Sequence, residues 1–116
     1  MALLDLQNEA VKQLSSYSDN LITATETVIK ELRGSRKEDT DELFGLVIQG
    51  INWEIEIFNN CEDLINKKEK LIDKSKMAQA VTRLGKVLQE KDDIKIAACL
   101  EVDFLPFVRN MKKAAE

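Results

Sequence analysis

From Leu3 to Leu32 the apolar residues recur at Leu4, Val11, Leu14, Leu21, Val28 and Leu32, with Ile22 and Ile29 alongside, and neither glycine nor proline interrupts them. At about 100° per residue these positions fall within an arc of roughly 160°, with Lys12, Asp19, Glu26 and Lys30 opposite. The pattern predicts one long amphipathic helix. Within it, the small polar run SSYSDN favours caps and turns, so any interruption is expected there. Gly34 supplies a stop just past Arg33, and GSRKEDT reads as the clearest loop in the chain.

The next helix starts at Asp39 or Thr40, and Glu42 stands three residues after Asp39 in a capping-box arrangement. From Leu43 to Ile65 one apolar stripe runs through Phe44, Val47, Ile48, Ile51, Ile55, Phe58 and Ile65. A second runs beside it through Leu46, Gly50, Trp53, Ile57, Cys61 and Leu64. The helix either continues through Leu71 and Ile72 or breaks among the lysines that precede them. Asp73 or Ser75 caps a third helix, with Met77, Ala80, Val81, Leu84, Val87 and Leu88 on its apolar face. Gly85 weakens it by about 1 kcal/mol relative to alanine. EKDD marks a turn, and Asp92 or Asp93 caps a fourth helix. That helix ends in Lys112 and Lys113, which suit its C-terminal dipole.

One stretch argues briefly against this all-helical reading. INWEIEIF, residues 51–58, alternates apolar and polar residues as a half-buried strand would. No other segment alternates in this way, so such a strand would lack a partner, and helical periodicity continues on both sides. Read as helix, residues 43–65 carry an apolar arc of about 220°, and residues 94–111 carry one of over 200°. Arcs so wide suit helices touched on two sides, so the second and fourth helices are expected to form the centre of the bundle or to enter a dimer interface.

Glu54 and Glu101 fall inside those two arcs. One reading makes them an acid pair that holds a metal ion or small molecule, or that shares a proton. The preferred reading places each at the rim, reaching a lysine, an arginine or a backbone N–H while its stem covers apolar surface. Two carboxylates are too few for a calcium or di-iron site, so no metal is assigned. Leu46, Trp53, Ile57 and Leu64 lie at one edge of the second helix. They either pack on the first helix or form a partner-binding or self-association face. Pro106 is expected to bend or end the last helix.

The chain contains no histidine, which removes the commonest general base and every Ser-His or Cys-His arrangement. The expectation is a protein that is not an enzyme and needs no cofactor. A net charge of −4 disfavours a nucleic-acid partner, because the lysines at 67, 68, 70, 74 and 76 and the basic loop of Arg33, Arg36 and Lys37 are interleaved with acids. Cys61 and Cys99 lack metal-ligand spacing and are expected as small core residues. Asp5 and Glu9 interrupt the N-terminus too early for a signal peptide. No apolar run approaches the roughly 20 residues that cross a membrane. A cytoplasmic location is the default.

The C-terminal two-thirds, from about Asp41 to Lys113, resembles small uncharacterised helical proteins of Firmicutes bacteria, whose last helix commonly reads like ADLLEYELLPLLEEW. Here it reads AACLEVDFLPFVRNM, with Leu100, Glu101, Leu105 and Pro106 matching and Asp103 acidic, but with Val102 in place of the aromatic residue and a different ending. The resemblance implies an α-helical bundle and brings no catalytic residue. A looser similarity to flagellar export chaperones implies a groove that holds a partner's helix. Together these readings predict one domain over residues 1–116, an all-α antiparallel bundle of four main helices with a long first helix. Its expected role is that of a non-enzymatic adaptor or chaperone-like interaction protein, with an unidentified protein partner, self-association as a homodimer, and no membrane or nucleic-acid partner.

Overall fold

The computed structural model describes residues 2–115, with side chains at Glu9 and from Lys12 onward. Among them there are helices and no strand. Leu3, Leu4 and Val11, the first apolar positions of the opening stripe, have side chains outside that set.

Helix α1 spans Ala2–Leu32 and passes through SSYSDN without a break. No interruption forms at SSYSDN. Ser18 turns inward to Glu54. Thr23, Thr25 and Thr27 each donate to the carbonyl four residues back, a bond that spares the backbone ladder. The helix closes through Gly34, whose φ of 130° needs a residue without Cβ. Beyond it the Ser35 N–H reaches the Glu31 carbonyl at 3.1 Å.

Helix α2 spans Thr40–Ile65, so INWEIEIF is helical. The capping box does not form, since the Asp39 side chain makes no cap bond. Thr40 organises the entry instead: its hydroxyl accepts from the Lys37 N–H at 2.8 Å and donates to Glu31 at 2.6 Å. The helix kinks at Cys61 (φ −127°, ψ 24°) and stops among the lysines. Asn66 holds the exit. Its side-chain oxygen accepts from the N–H groups of Leu71 and Ile72, and its amide donates back to the Ile72 carbonyl.

Helix α3 spans Lys74–Glu90, capped by Asp73, which accepts from the N–H groups of Ser75 and Lys76. Its buried face is Met77, Ala80 and Leu84, and Val81 lies outside it, 46% exposed. Asp92 caps α4 (Asp93–Cys99) in the same way. A π-helical turn at Leu100–Phe104 then leads without interruption into α5, Leu105–Ala115. In that turn the Leu105 N–H bonds the Leu100 carbonyl, five residues back. Pro106 follows directly. It has no N–H to offer the Val102 carbonyl, and its ring crowds that carbonyl in a regular α-helix. The wider π turn answers both problems, so the proline neither ends the helix nor breaks it.

This turn explains why the last helix seemed so broadly apolar. Projected uniformly, its buried residues from Ile96 to Met111 spread over about 240°. The π turn contributes one extra residue, and allowing for it brings them into about 180°. Ile94 and Val102 lie beyond that narrower face and are 59% and 69% exposed.

Helices α1 and α2 pair in opposite directions, through Glu31–Thr40 at one end and Ser18–Glu54 further along. Helix α1 opposes the last helix likewise, through Arg33–Glu101, Glu26–Arg109 and Asp19–Lys112. Helix α1 touches α2, α4, the π turn and α5, whereas α2 packs on α1 and α5, and α3 packs on α4 and the π turn. The centre is therefore the first and last helices: the fourth helix expected from sequence, now α4, the π turn and α5, is central, but the second cedes its place to the first. The broad apolar arc of α2 has flanks that stay partly open, with Leu46 56% exposed.

Candidate functional site

The polar residue most at odds with its surroundings is Glu54, which is fully buried and not at the rim. Side chains of α1 press onto α2 at Gly50, one turn before Glu54. A Cβ added to Gly50 would lie 2.7 Å from the Tyr17 hydroxyl and 2.8 Å from Leu21 Cδ1. Ser18 Oγ donates to Glu54 Oε2 at 2.7 Å, while Oε1 has no partner. Burial pushes the carboxyl up to about 7, and the Ser18 bond offsets only part of this. The Tyr17 hydroxyl is raised too, first by burial and then by the neighbouring Glu54 charge. The Tyr17 ring meets Trp53 edge-on, with centroids 4.6 Å apart, so Trp53 is engaged by α1.

Glu101 has a different environment. It is half exposed and takes a two-pronged hydrogen bond from Arg33 at 3.0 and 3.1 Å, which holds it below the usual carboxylate range. The partners of the two glutamates, Ser18 and Arg33, stand about 22 Å apart along α1 at 1.5 Å per residue. The carboxylates therefore do not meet, and a shared site on both has no geometry. Among the described residues no group of three or more acids or cysteines is placed to hold a metal ion. Of the four candidate partner-binding residues, Leu46 is exposed, Trp53 and Leu64 are half-buried, and Ile57 is buried at 7% exposure.

The feature best shaped to receive something lies elsewhere. Helix α3 rests on α4 and the π turn, and its first turns stand off α5. A recess of about 380 Å³ opens between them, with Ile72, Met77, Ala80, Phe104 and Phe107 among its lining residues and with Val102 and Pro106 at its edge. One wall is braced by Arg83, which grips Asp103 at 2.8 and 2.9 Å. Cys99 donates to the same carboxylate, and burial, then Asp103, pushes its thiol up to about 11. A thiol held protonated in this way is a poor nucleophile.

A second recess, of about 320 Å³, lies beyond Leu71, which borders both. Leu64, Ile65 and Ala114 line it along with Lys67, Lys68, Glu69 and Lys113. The Leu71 carbonyl accepts from Asn110 on α5 at 3.0 Å, fixing the divider between them. None of this groove except Leu64 was marked as a site by sequence. Its early signals were Lys67 and Lys68, weighed there only for a nucleic-acid partner, and Pro106, which announced an irregularity in the last helix without saying which way Val102 would turn.

Compared with known proteins, residues 9–114 match the model of a family described as a domain of unknown function, DUF8042. The chain belongs to this family. No curated protein and no solved structure matches it. The DUF8042 match takes in α1 from Glu9, all of α2, α3 and α4, and α5 up to Ala114, so both recesses fall within it. No helix among the described residues is long and apolar enough to cross a membrane.

Proposed function

We propose that this DUF8042 domain is a non-enzymatic protein-interaction module that receives a helix of a partner protein in the groove between α3 and the last helix. One observation carries the reading: the lining of the recess combines apolar residues with Asp73, Lys76, Gln79, Arg83, Asp103 and Asn110, and Val102 in that lining is 69% exposed. Helix-in-groove recognition needs such a floor and a lip to fill around it. The absence of histidine in the chain and the protonated, hydrogen-bonded Cys99 are in keeping with binding rather than catalysis. A cytoplasmic setting belongs to the same reading. So does the likeness to helical proteins of Firmicutes, which rests on LEVDFLP, the segment that forms the π turn and its proline.

The test compares the wild type with Val102→Glu and Met77→Glu as baits in native extract. Proteins held by the wild type and lost by both variants are identified by mass spectrometry, purified and titrated. A folded variant that retains every partner of the wild type refutes the groove as the binding surface.

A further inference from the structure

We infer that the groove takes an acidic amphipathic helix, whose apolar stripe enters the recesses on either side of Leu71 and whose carboxylates meet Lys67 and Lys68. This rests on the proposed interaction role and assigns the chemistry of the partner.

The two recesses form one track along the last helix. Val102, Pro106 and Phe107 border the first, Asn110 meets the divider, and Lys113 and Ala114 border the second. From Val102 to Ala114 the helix rises about 18 Å, the length of roughly three turns of a partner helix. An occupant of that length reaches both recesses, with apolar side chains spaced one or two turns apart on a single face.

The charges along the track are unevenly satisfied. At the first recess Arg83 is neutralised by Asp103, and Asp73 caps α3 while facing Lys70 and Lys76. At the second, Lys113 is paired with Glu69 at 3.1 Å, but Lys67 and Lys68 have no ion-pair partner among the described residues. Lys70 and Lys74 flank the same loop, each with a carboxylate only at 3.9–4.0 Å. A chain of net charge −4 thus places unpaired cations beside an apolar recess. A basic occupant would meet repulsion there, and a neutral one would leave the lysines unused. An acidic one would gain both attraction and orientation, its carboxylate end set over the Lys67–Lys68 side.

The arrangement also separates a helix from nucleic acid. A phosphate backbone would use the lysines alone, whereas an amphipathic helix also needs the recess edge at Val102, at the far end of the track.

The experiment is selection from a display library of 12-residue amphipathic helices with randomised polar faces. It is run on the wild type and counter-selected on Val102→Glu, followed by fluorescence-anisotropy titration of synthetic peptides and of a 12-nucleotide single-stranded RNA. Circular dichroism and urea unfolding establish that Val102→Glu and the Lys67→Glu/Lys68→Glu double variant are folded. The expected result is enrichment of acidic peptides. Such a peptide should bind about tenfold more tightly than its lysine-substituted counterpart at low salt, as two exposed charge pairs of about threefold each would give. In the double variant, whose charges are reversed, that preference should invert in favour of the lysine-substituted peptide, while Val102→Glu removes binding of both peptides. Peptides that bind through Val102 without regard to charge overturn the acidic partner and leave the groove reading standing. Failure to enrich any peptide, or RNA binding that depends on Lys67 and Lys68 but not on Val102, overturns both.

Discussion

Replacing Glu54 with glutamine isolates the consequence of a carboxyl sealed between α1 and α2. In the folded protein its pKa lies at about 7, raised by burial, against about 4.3 for a glutamate in an unfolded chain. The native state therefore holds this proton more tightly than the unfolded state. The group's contribution to stability is fullest below the unfolded pKa, falls as pH rises between the two values, and levels off above the folded one. At 1.36 kcal/mol per pH unit the whole loss is about 4 kcal/mol, of which about 2 to 3 kcal/mol falls between pH 5 and pH 8. Glutamine keeps the oxygen that accepts from Ser18 but cannot ionise. It does place an amide where Oε1 lacks a partner, at a pH-independent cost of about 1–3 kcal/mol. At pH 5 the variant should thus be equal to or less stable than the wild type. With rising pH it should gain on the wild type by about 2 to 3 kcal/mol. Urea unfolding of both proteins at half-unit pH intervals measures the difference, and other carboxylates common to both cancel. A stability difference that stays flat from pH 5 to pH 8 would refute the account of Glu54 as a buried group that must be charged at a cost.

Gly50→Ala and Gly85→Ala should move stability in opposite directions. At Gly85 a new Cβ meets nothing within 4 Å, so helix propensity alone should add about 1 kcal/mol. At Gly50 it would press on Tyr17 and Leu21 and should cost about 1–3 kcal/mol; urea midpoints decide both. Asp73→Ala and Asp92→Ala each remove a side chain that accepts two N–H bonds at a helix start and should cost about 1 kcal/mol apiece in thermal unfolding. Deleting Val102 removes the one residue by which the π turn exceeds the α-helical count and returns Pro106 to a regular helix, so unfolding should stay cooperative at a cost of about 3 kcal/mol. Deleting Asn52, in the regular part of α2, should rotate everything after it by about 100° and abolish cooperative unfolding. Equal tolerance of both deletions, followed by chemical denaturation, would contradict the reading of the turn as a register correction.

How far the chain could be read in advance depended on how local each determinant was. The long first helix, the loop at Gly34, and the caps at Asp73 and Asp92 were legible because each rests on a few adjacent residues and a period of 3.6. Thr40 was named as a cap candidate, but its role depends on Glu31, which belongs to the preceding helix. Glu54 was correctly singled out as lying on an apolar face, yet its depth was not legible. Depth there is set by how α1 packs over that face of α2, through Ser18 on Glu54 and Tyr17 on Trp53, a tertiary arrangement. Glu101 behaved as a partnered surface carboxylate because Arg33 faces it across 68 residues of chain. The groove was hidden for a different reason. A projection at constant angle assumes an unbroken helix, and the π turn at Leu100–Phe104 changes the phase midway.

That phase change has an effect beyond the core. Upstream of it the orientation of the last rod is governed by α1 and α3, and downstream by α1 and α2. A residue at the boundary obeys neither set of neighbours, and so an ordinary valine in a mostly apolar stretch comes to point at solvent. The exposed patch beside α3 is in this sense a by-product of keeping the interior closed. Sequences that shift the boundary by a residue or two could redirect that patch while leaving the interior untouched, so within a single architecture recognition could diverge without disturbing folding.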